Sequence, residues 1–446
     1  MKRWAPWAAA TGAAMLLMLA PAIWNGFPLM FYDTGAFIDQ ALTGKFVAER
    51  AVAYAWFLML TAPQVSLWPV VVVQALITAL AMRACADVLA PALDPARFLA
   101  VMLALCVGTG LPWYVGQVLP DFLTAPMVLA LYLLGLHGDA IGLPRKLALL
   151  AVIVLAGAAH ASHLLLAGGL AASVALFQLA RAWRVVECAA MRPRWQWPAL
   201  AVALALAFLL ASNFARTGEV FVSRAGPAFV FGRLVQDGIV KRLLDETCPG
   251  AGYKLCADKD TLPTNANDWL WGPATPFWKL GGFEGTAAES SRIIADSLRR
   301  YPWMHLRTAL AATGEQLFAF RTGDGIEPQP WPTWWAMETF LPGQLPAYVA
   351  ARQQNDQIEF AAINGLHVPI GLASMAAALG FAAVAAWRRR CDDRGVLPAY
   401  LLLALLGNAL ICGALSNPHD RYQSRLLWAV PFALLLLASR GAERRG

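Results

Sequence analysis

The chain has 446 residues, 59% hydrophobic and 14% charged, against about 45–50% apolar and about 25% charged in ordinary soluble domains. That bias over this length excludes one large soluble core and points to a polytopic membrane protein. The formal charge of +7 sits mostly in short loops between apolar runs, so it reads as membrane topology and not as a footprint for nucleic acid.

Met1-Lys2-Arg3 followed by an apolar run has the outline of a signal peptide. No small-residue cleavage site follows and further spans do, so a retained first helix is expected. Apolar runs long enough to cross a bilayer lie at about 4–24, 66–88, 98–117, 122–137, 146–160, 161–181, 197–214, 362–387, 397–415 and 424–439. The expected fold is therefore all-α with about ten transmembrane helices. Its parts are an N-terminal membrane region at 1–214 with about seven spans and a first outer loop at 26–64, an insert or cap at 215–361, and a C-terminal membrane region at 362–446 with about three spans.

Lys and Arg set the expected orientation. One set of loops and ends holds seventeen of them, including Lys2, Arg3, Arg83, Arg145, Arg184, Arg390 and Arg445; the short loops of the other set hold Lys45, Arg50, Arg421 and Arg425. The first set is read as cytoplasmic. Both termini then lie inside, the long insert lies in the periplasm, and the protein belongs in a bacterial-type inner membrane. On this assignment Asp33, Asp39, Glu49, Asp121, His160, His163, His419, Asp420 and Arg421 all fall at the outer ends of spans. Ionisable groups near membrane depth are costly and face a cavity or one another, so their one-sided gathering suggests a single outward-facing site.

Asp33 follows the first span in Phe-Tyr-Asp-Thr-Gly. It reads as the N-cap of a helix starting at Thr34, as an acid that works as a base or near a donor phosphate or metal, or as both together. Glu49 and Arg50 end the same loop and are also explained as interfacial charges. Asp121, in Leu-Pro-Asp-Phe-Leu-Thr, opens a span; capping accounts for it, and so does a place beside Asp33. His160 and His163 share a helix face at i, i+3. They suit a cavity wall; a zinc site would want a third protein ligand, and none presents itself.

The insert contains Cys-Pro-Gly-Ala-Gly-Tyr-Lys-Leu-Cys, in which Cys248 and Cys256 can close a small loop in an oxidising compartment. The other cysteines, Cys188 and Cys391 among them, read as packing residues. Two Trp-rich stretches, 268–273 and 331–335, suit segments resting at a membrane interface. Residues 287–320 read as amphipathic helix broken at Pro302.

The last span opens on Asn-Pro-His-Asp-Arg-Tyr-Gln-Ser-Arg. Arg421 and Arg425 lie at i, i+4, and two guanidinium groups on one face can grip a phosphate through forked hydrogen bonds, with His419, Asp420 and Tyr422 beside them. The alternative is that Asp420 caps the helix and both Arg reach for headgroups. No Walker loop, dinucleotide fingerprint, nucleophile elbow or His-Glu-x-x-His is present, which disfavours nucleotide-driven and serine-hydrolase chemistry.

These motifs resemble those of the GT-C superfamily of membrane glycosyltransferases, which includes protein O-mannosyltransferases and lipid A aminoarabinose transferases. Asp33 matches the acid that follows the first span, Asp121 the acid of the second outer loop, and Arg421, Tyr422 and Pro431 the late Arg-Tyr with its following Pro. The resemblance covers roughly 1–215 and 360–440. The paired acids of some members are absent, since Thr34 follows Asp33, which leaves a divalent metal an open question and no cofactor certain. The resemblance implies transfer of a sugar from a polyprenyl-phosphate carrier, with the carrier in membrane lipid and a glycan, lipid or protein as acceptor. Asp33 and Asp121 would be its acids and Arg421, Arg425 and His419 its phosphate ligands. Three rivals stand beside it. A transporter or flippase of lipid-linked sugars would want polar groups through the whole depth of the membrane, and the spans are apolar at mid-depth. An O-antigen-ligase-type transferase would use a pyrophosphate-linked donor. A non-enzymatic assembly subunit would tolerate every outer polar substitution.

Overall fold

The structure, a computed structural model, describes residues 4–185, 187–188, 191–329 and 331–442. Lys2, Arg3, Arg444 and Arg445, which enter the charge count, lie outside the described residues, as does Met1. The chain is helical over 74% of its length, with no strand among the described residues.

The first half holds α1 (Trp4–Asn25), α2 (Thr34–Thr43), α3 (Val52–Leu60), α4 (Trp68–Leu89), α5 (Pro95–Gly108), α6 (Leu111–Val115), α7 (Thr124–His137), α8 (Leu143–Ala159), α9 (Ala161–Ala182) and α10 (Gln196–Thr217). The insert holds α11 (Gly226–Gln236), α12 (Ile239–Thr247), α13 (Ala266–Trp271), α14 (Pro276–Lys279), α15 (Gly282–Arg300), α16 (Pro302–Phe318), α17 (Thr333–Phe340) and α18 (Leu345–Ala350). The chain ends with α19 (Phe360–Trp387), α20 (Asp393–Leu415), α21 (Asp420–Leu427) and α22 (Ala429–Ala442).

Eight helical stretches among the described residues are long and apolar enough to cross a membrane. Two of the ten expected runs are not among them. The run at 98–117 is α5, only 14 residues long, and then α6, because Pro112 cannot continue the ladder through Thr109 and Gly110. The run at 146–160 is α8, at 17 residues one turn short of the usual length. Large apolar side chains such as Leu80, Leu103, Leu176, Leu379 and Leu410 point outward from the bundle, as lipid-facing residues do.

α7 is the axis. Its whole stretch from Thr124 to Leu136 is buried, packed among α4, α8, α9, α20 and α21. A helix apolar all round suits a core or lipid alike; it is the packing of its neighbours that puts α7 in the core. Ion pairs mark one end of that bundle, Asp87 with Arg83 (2.6 Å) and Arg145 (2.8 Å) and Asp139 with Arg194 (2.9 Å), beside a hydrogen bond between His137 and Asp393 (2.7 Å). At this end Cys188 and Cys391 are bonded to each other, so they are a cross-link between the loops after α9 and α19 and not the packing residues the sequence suggested.

The segment 215–361 divides in two. Residues 225–301 carry their own apolar core around Phe231, Trp269, Phe277 and Ile293. Cys248 and Cys256 are bonded, with Cα atoms 5.5 Å apart. Trp269 is fully buried in this core and so does not rest at an interface, whereas Trp271 is half exposed. The chain breaks at Tyr301–Pro302, as the amphipathic pattern predicted.

From α16 onward the insert packs on the membrane helices. α16 lies along α20, where a Cβ on Gly413 would sit 2.6 Å from the Ala312 carbonyl oxygen, so only glycine permits the approach. Its other face presents Trp303, Leu306, Leu310 and Phe318 outward. α17 lies on α2, where a Cβ on Gly35 would meet Thr333 Cα at 2.7 Å.

Candidate functional site

The first loop reaches its place through backbone pairing. Leu29 donates to the Gly116 carbonyl and accepts from Val118 N–H, both at 2.9 Å, and Thr34 Oγ1 donates to the Val118 carbonyl at 3.0 Å. Gln353, fully buried, clamps Met30 from the far side by accepting its N–H at 3.0 Å and donating to its carbonyl at 2.9 Å. These contacts carry Asp33 to the start of α7, and so to Asp121, although 88 positions separate them in the chain.

Neither acid caps a helix. Asp33 occupies the N-cap position of α2 but its side chain makes no capping bond; it pairs with Arg50 Nη2 at 2.6 Å. Asp121 sits in the short turn before α7 and pairs with Arg425 Nη1 at 2.5 Å. Arg421 lies between them, its Nη1 at 3.8 Å from Asp33 and 3.6 Å from Asp121. The result is an alternating row: Arg50, Asp33, Arg421, Asp121, Arg425. Three cations face two anions along the row, and Asp324, bound to the Arg421 backbone N–H, adds a third anion beside it.

Burial grades along the row. The side chains of Asp33, Arg421 and Arg50 are 21%, 11% and 10% exposed, those of Asp121 and Arg425 1% and 0%. Arg425 is also held by Ser162 Oγ at 3.1 Å, and the ring of Tyr422 lies beneath it, 5.1 Å to the centroid. The Arg421 guanidinium lies over the rings of Phe31 (4.1 Å to the centroid) and Tyr422 (4.7 Å), and its Nη2 donates to the Tyr422 hydroxyl at 3.2 Å. The two Arg do share a face, and both reach Asp121; only Arg421 retains a surface a ligand could meet.

The expected cavity residues divide. His163 is fully buried and satisfied, Nε2 against Thr124 Oγ1 at 2.7 Å and Nδ1 against the Ala156 carbonyl at 3.2 Å. His160 caps α9, its Nδ1 accepting from Ser162 N–H at 3.2 Å and meeting Ser162 Oγ at 2.8 Å. It thus orients the serine that holds Arg425. The N-cap of α21 is His419, not Asp420; Asp420 accepts from Arg321 N–H at 2.8 Å. The His419 backbone is fastened at both N–H and carbonyl by Gln316 of α16 (2.9 and 2.8 Å). The Glu49 carboxylate, half-buried, makes no ion pair among the described residues.

Sequence reasoning missed three members of this site. Arg50, read as an interfacial charge, is the closest partner of Asp33. Ser162 lies between two noticed histidines and was passed over. Asp324 accepts from Arg421 N–H at 3.1 Å and lies 3.6 Å from His419 Nδ1. Burial works against ionisation of Asp324, but His419 and the Arg421 backbone and side chain outweigh it and hold its carboxyl below the usual range. No local pattern marks Arg50 or Asp324; each matters only through a partner far along the chain.

No group of three His, Cys, Asp or Glu side chains placed to hold a metal ion occurs among the described residues. A cavity lined by Thr109, Thr322, His367, Ser424 and Trp428 has a volume of about 10 Å³, room for one water and too small for a sugar or a phosphate. The row itself is the place with ligand chemistry: an acid in reach of solvent, flanked by two guanidinium groups, of which the buried Asp121–Arg425 pair holds Arg421 from behind. No family model, curated protein or solved structure matches this chain.

Proposed function

We propose that the chain is a GT-C-type glycosyltransferase of a bacterial-type inner membrane, taking a sugar from a polyprenyl-phosphate donor to an envelope or periplasmic acceptor at the outer face. The observation that carries the reading is Asp33 between Arg50 and Arg421, part exposed at one end of an apolar bundle. In the proposed topology α5 and α8 complete ten passes, with both termini cytoplasmic and the insert outside; this orientation rests on the loop charges, and the Cys188–Cys391 bond, which it places on the cytoplasmic side where thiols are ordinarily kept reduced, speaks against it. Support comes from the contacts: α8 starts at the Asp87–Arg145 pair and ends at His160, and α5 starts beyond Leu89 and ends near Ser424.

The chemistry follows from the row. Asp33 accepts the proton of the acceptor hydroxyl as that oxygen forms a bond to the sugar's anomeric carbon. The bond from that carbon to the phosphate oxygen breaks, and its electron pair stays with the leaving polyprenyl phosphate. Arg421 and Arg50 meet the charge that grows there; the Phe31 and Tyr422 rings and the Tyr422 hydroxyl already hold Arg421, so little reorganisation is needed. Arg425 and Asp121 do not touch substrate in this scheme. They set the position of Arg421 from behind.

The test uses polyprenyl phosphate itself as a probe. Purified protein should bind it, and Arg421→Ala and Arg50→Ala should each weaken binding by about tenfold or more, the scale of one lost charge-assisted hydrogen bond pair. Binding that ignores both substitutions would remove the donor site from this row. Movement of intact lipid-linked sugar across vesicles, without transfer, would favour the transporter instead.

A further inference from the structure

His160 is the single residue between α8 and α9, and its extended backbone separates one helix from the next. Its side chain projects from a corner of the bundle, and that corner belongs to the Asp33 site. Ala158, near the end of α8, packs with Ala53 of α3, three residues after Arg50. Ser162, in the first turn of α9, holds both His160 and Arg425. The charges acting on the His160 ring include those of Arg425, Asp121, Arg421 and Arg50, all members of the row.

The two ring nitrogens are in different positions. Nδ1 accepts the Ser162 N–H at 3.2 Å and meets Ser162 Oγ at 2.8 Å. An amide N–H can only donate, so Nδ1 carries the lone pair and the ring proton sits on Nε2. The serine agrees: its Oγ accepts from Arg425 Nη2 at 3.1 Å and has its own hydrogen to give to Nδ1. Nε2 makes no hydrogen bond among the described residues and is not one of their enclosed polar atoms left without a partner; the residue is part exposed. His163, three residues on, is fully buried with both nitrogens satisfied. One histidine of the pair is a packing residue, and the other holds an unused donor in a fixed orientation.

We infer that His160 Nε2–H donates to an oxygen of the polyprenyl-phosphate donor, beside Arg421 and Arg50, and so contacts substrate. The oriented donor stands on the hydrogen bonds alone; the phosphate as its acceptor rests on the transferase reading. An anionic oxygen suits a neutral N–H set among guanidinium groups, because phosphate oxygens accept from all of these donors together. The neutral ring orients the phosphate without adding a further charge to the row.

Cap and donor sit on different nitrogens, so substitution separates them. His160→Asn keeps an acceptor near the Nδ1 position, and with it the cap on α9, but loses the Nε2 donor. His160→Gln places an amide N–H near the Nε2 position and loses the cap. The full-length protein in detergent is titrated with polyprenyl phosphate, and its thermal unfolding is followed. His160→Asn should unfold at the wild-type temperature and bind about tenfold more weakly, the scale of one hydrogen bond to a charged group. His160→Gln should unfold earlier yet bind more tightly than His160→Asn. Wild-type affinity in folded His160→Asn, or no gain in His160→Gln over His160→Asn, would overturn the contact and leave a cap. Binding that falls with Arg421→Ala but not with His160→Asn removes the His160 contact alone. Binding that falls with His160→Asn in a protein that transfers no sugar removes the transferase reading and leaves the phosphate contact. No binding by wild type removes both.

Discussion

Arg425 and Asp121 form an ion pair at 2.5 Å in which neither side chain is more than 1% exposed, and 304 positions of chain lie between them. The pair ties α21 to the start of the central helix. Two charges this deep persist only because each is matched, here by one another, by Arg421 and by Ser162.

Removing one partner leaves the other buried and bare. Asp121→Asn and Arg425→Met should each cost about 3–5 kcal/mol in unfolding free energy. The double variant Asp121→Leu/Arg425→Met should be more stable than either single one. Thermal or denaturant unfolding in detergent measures this; a double variant as weak as the sum of Asp121→Leu and Arg425→Met measured singly would show that the two side chains do not depend on each other.

Gly35 faces the backbone of α17 with no room for a methyl group, its Cβ position 2.7 Å from Thr333 Cα. Gly35→Ala should cost about 1–3 kcal/mol through overpacking. It should also loosen the loop that carries Asp33, visible as faster hydrogen exchange across 27–43. Wild-type exchange there would mean that α17 does not hold that loop.

The Cys248–Cys256 bond closes a short loop, worth about 2.5 kcal/mol in the chain-entropy view. Cys256→Ser should unfold the insert's own core at lower temperature while the membrane helices hold, because residues 225–301 have a core apart from the bundle. Loss of both in one transition would contradict that division.

Asp324 provides the pH test. Its folded carboxyl is held below its unfolded value of about 3.9. The stability it contributes is therefore complete above that unfolded value and disappears as pH falls through the folded one. Asp324→Asn should be less stable than wild type near neutrality, with the gap closing as the pH is taken below about 4. A gap that ignores pH would mean that the carboxylate's charge does not anchor α21.

Much of the architecture is visible in the residue pattern, because length and apolarity alone decide the long helices. The limit shows at 98–117, where a continuous apolar run hides a break at Thr109–Pro112, and at 146–160, where the helix stops one residue before His160. The acids Asp33 and Asp121 stand out in sequence, but their local context pointed equally to capping. What decides between the readings is a partner elsewhere, Arg50 or Arg425, and no spacing rule connects residues that distant. Cys188 and Cys391 teach the same lesson: a separation of 203 residues carries no pairing signal, while the separation of 8 between Cys248 and Cys256 does. Arg421 and Arg425 could be assigned one helix face from i, i+4, but not which of them burial would remove from the surface.

The central claim is that Asp33 takes the acceptor's proton while Arg421 and Arg50 hold the departing phosphate. The most direct measurement is a single-turnover assay following a labelled sugar from its polyprenyl-phosphate carrier to acceptor, with wild type and Asp33→Asn at equal, saturating donor. Asp33→Asn should insert, bind polyprenyl phosphate and transfer the sugar about 10²–10⁴-fold more slowly. Transfer at the wild-type rate by Asp33→Asn would contradict the account.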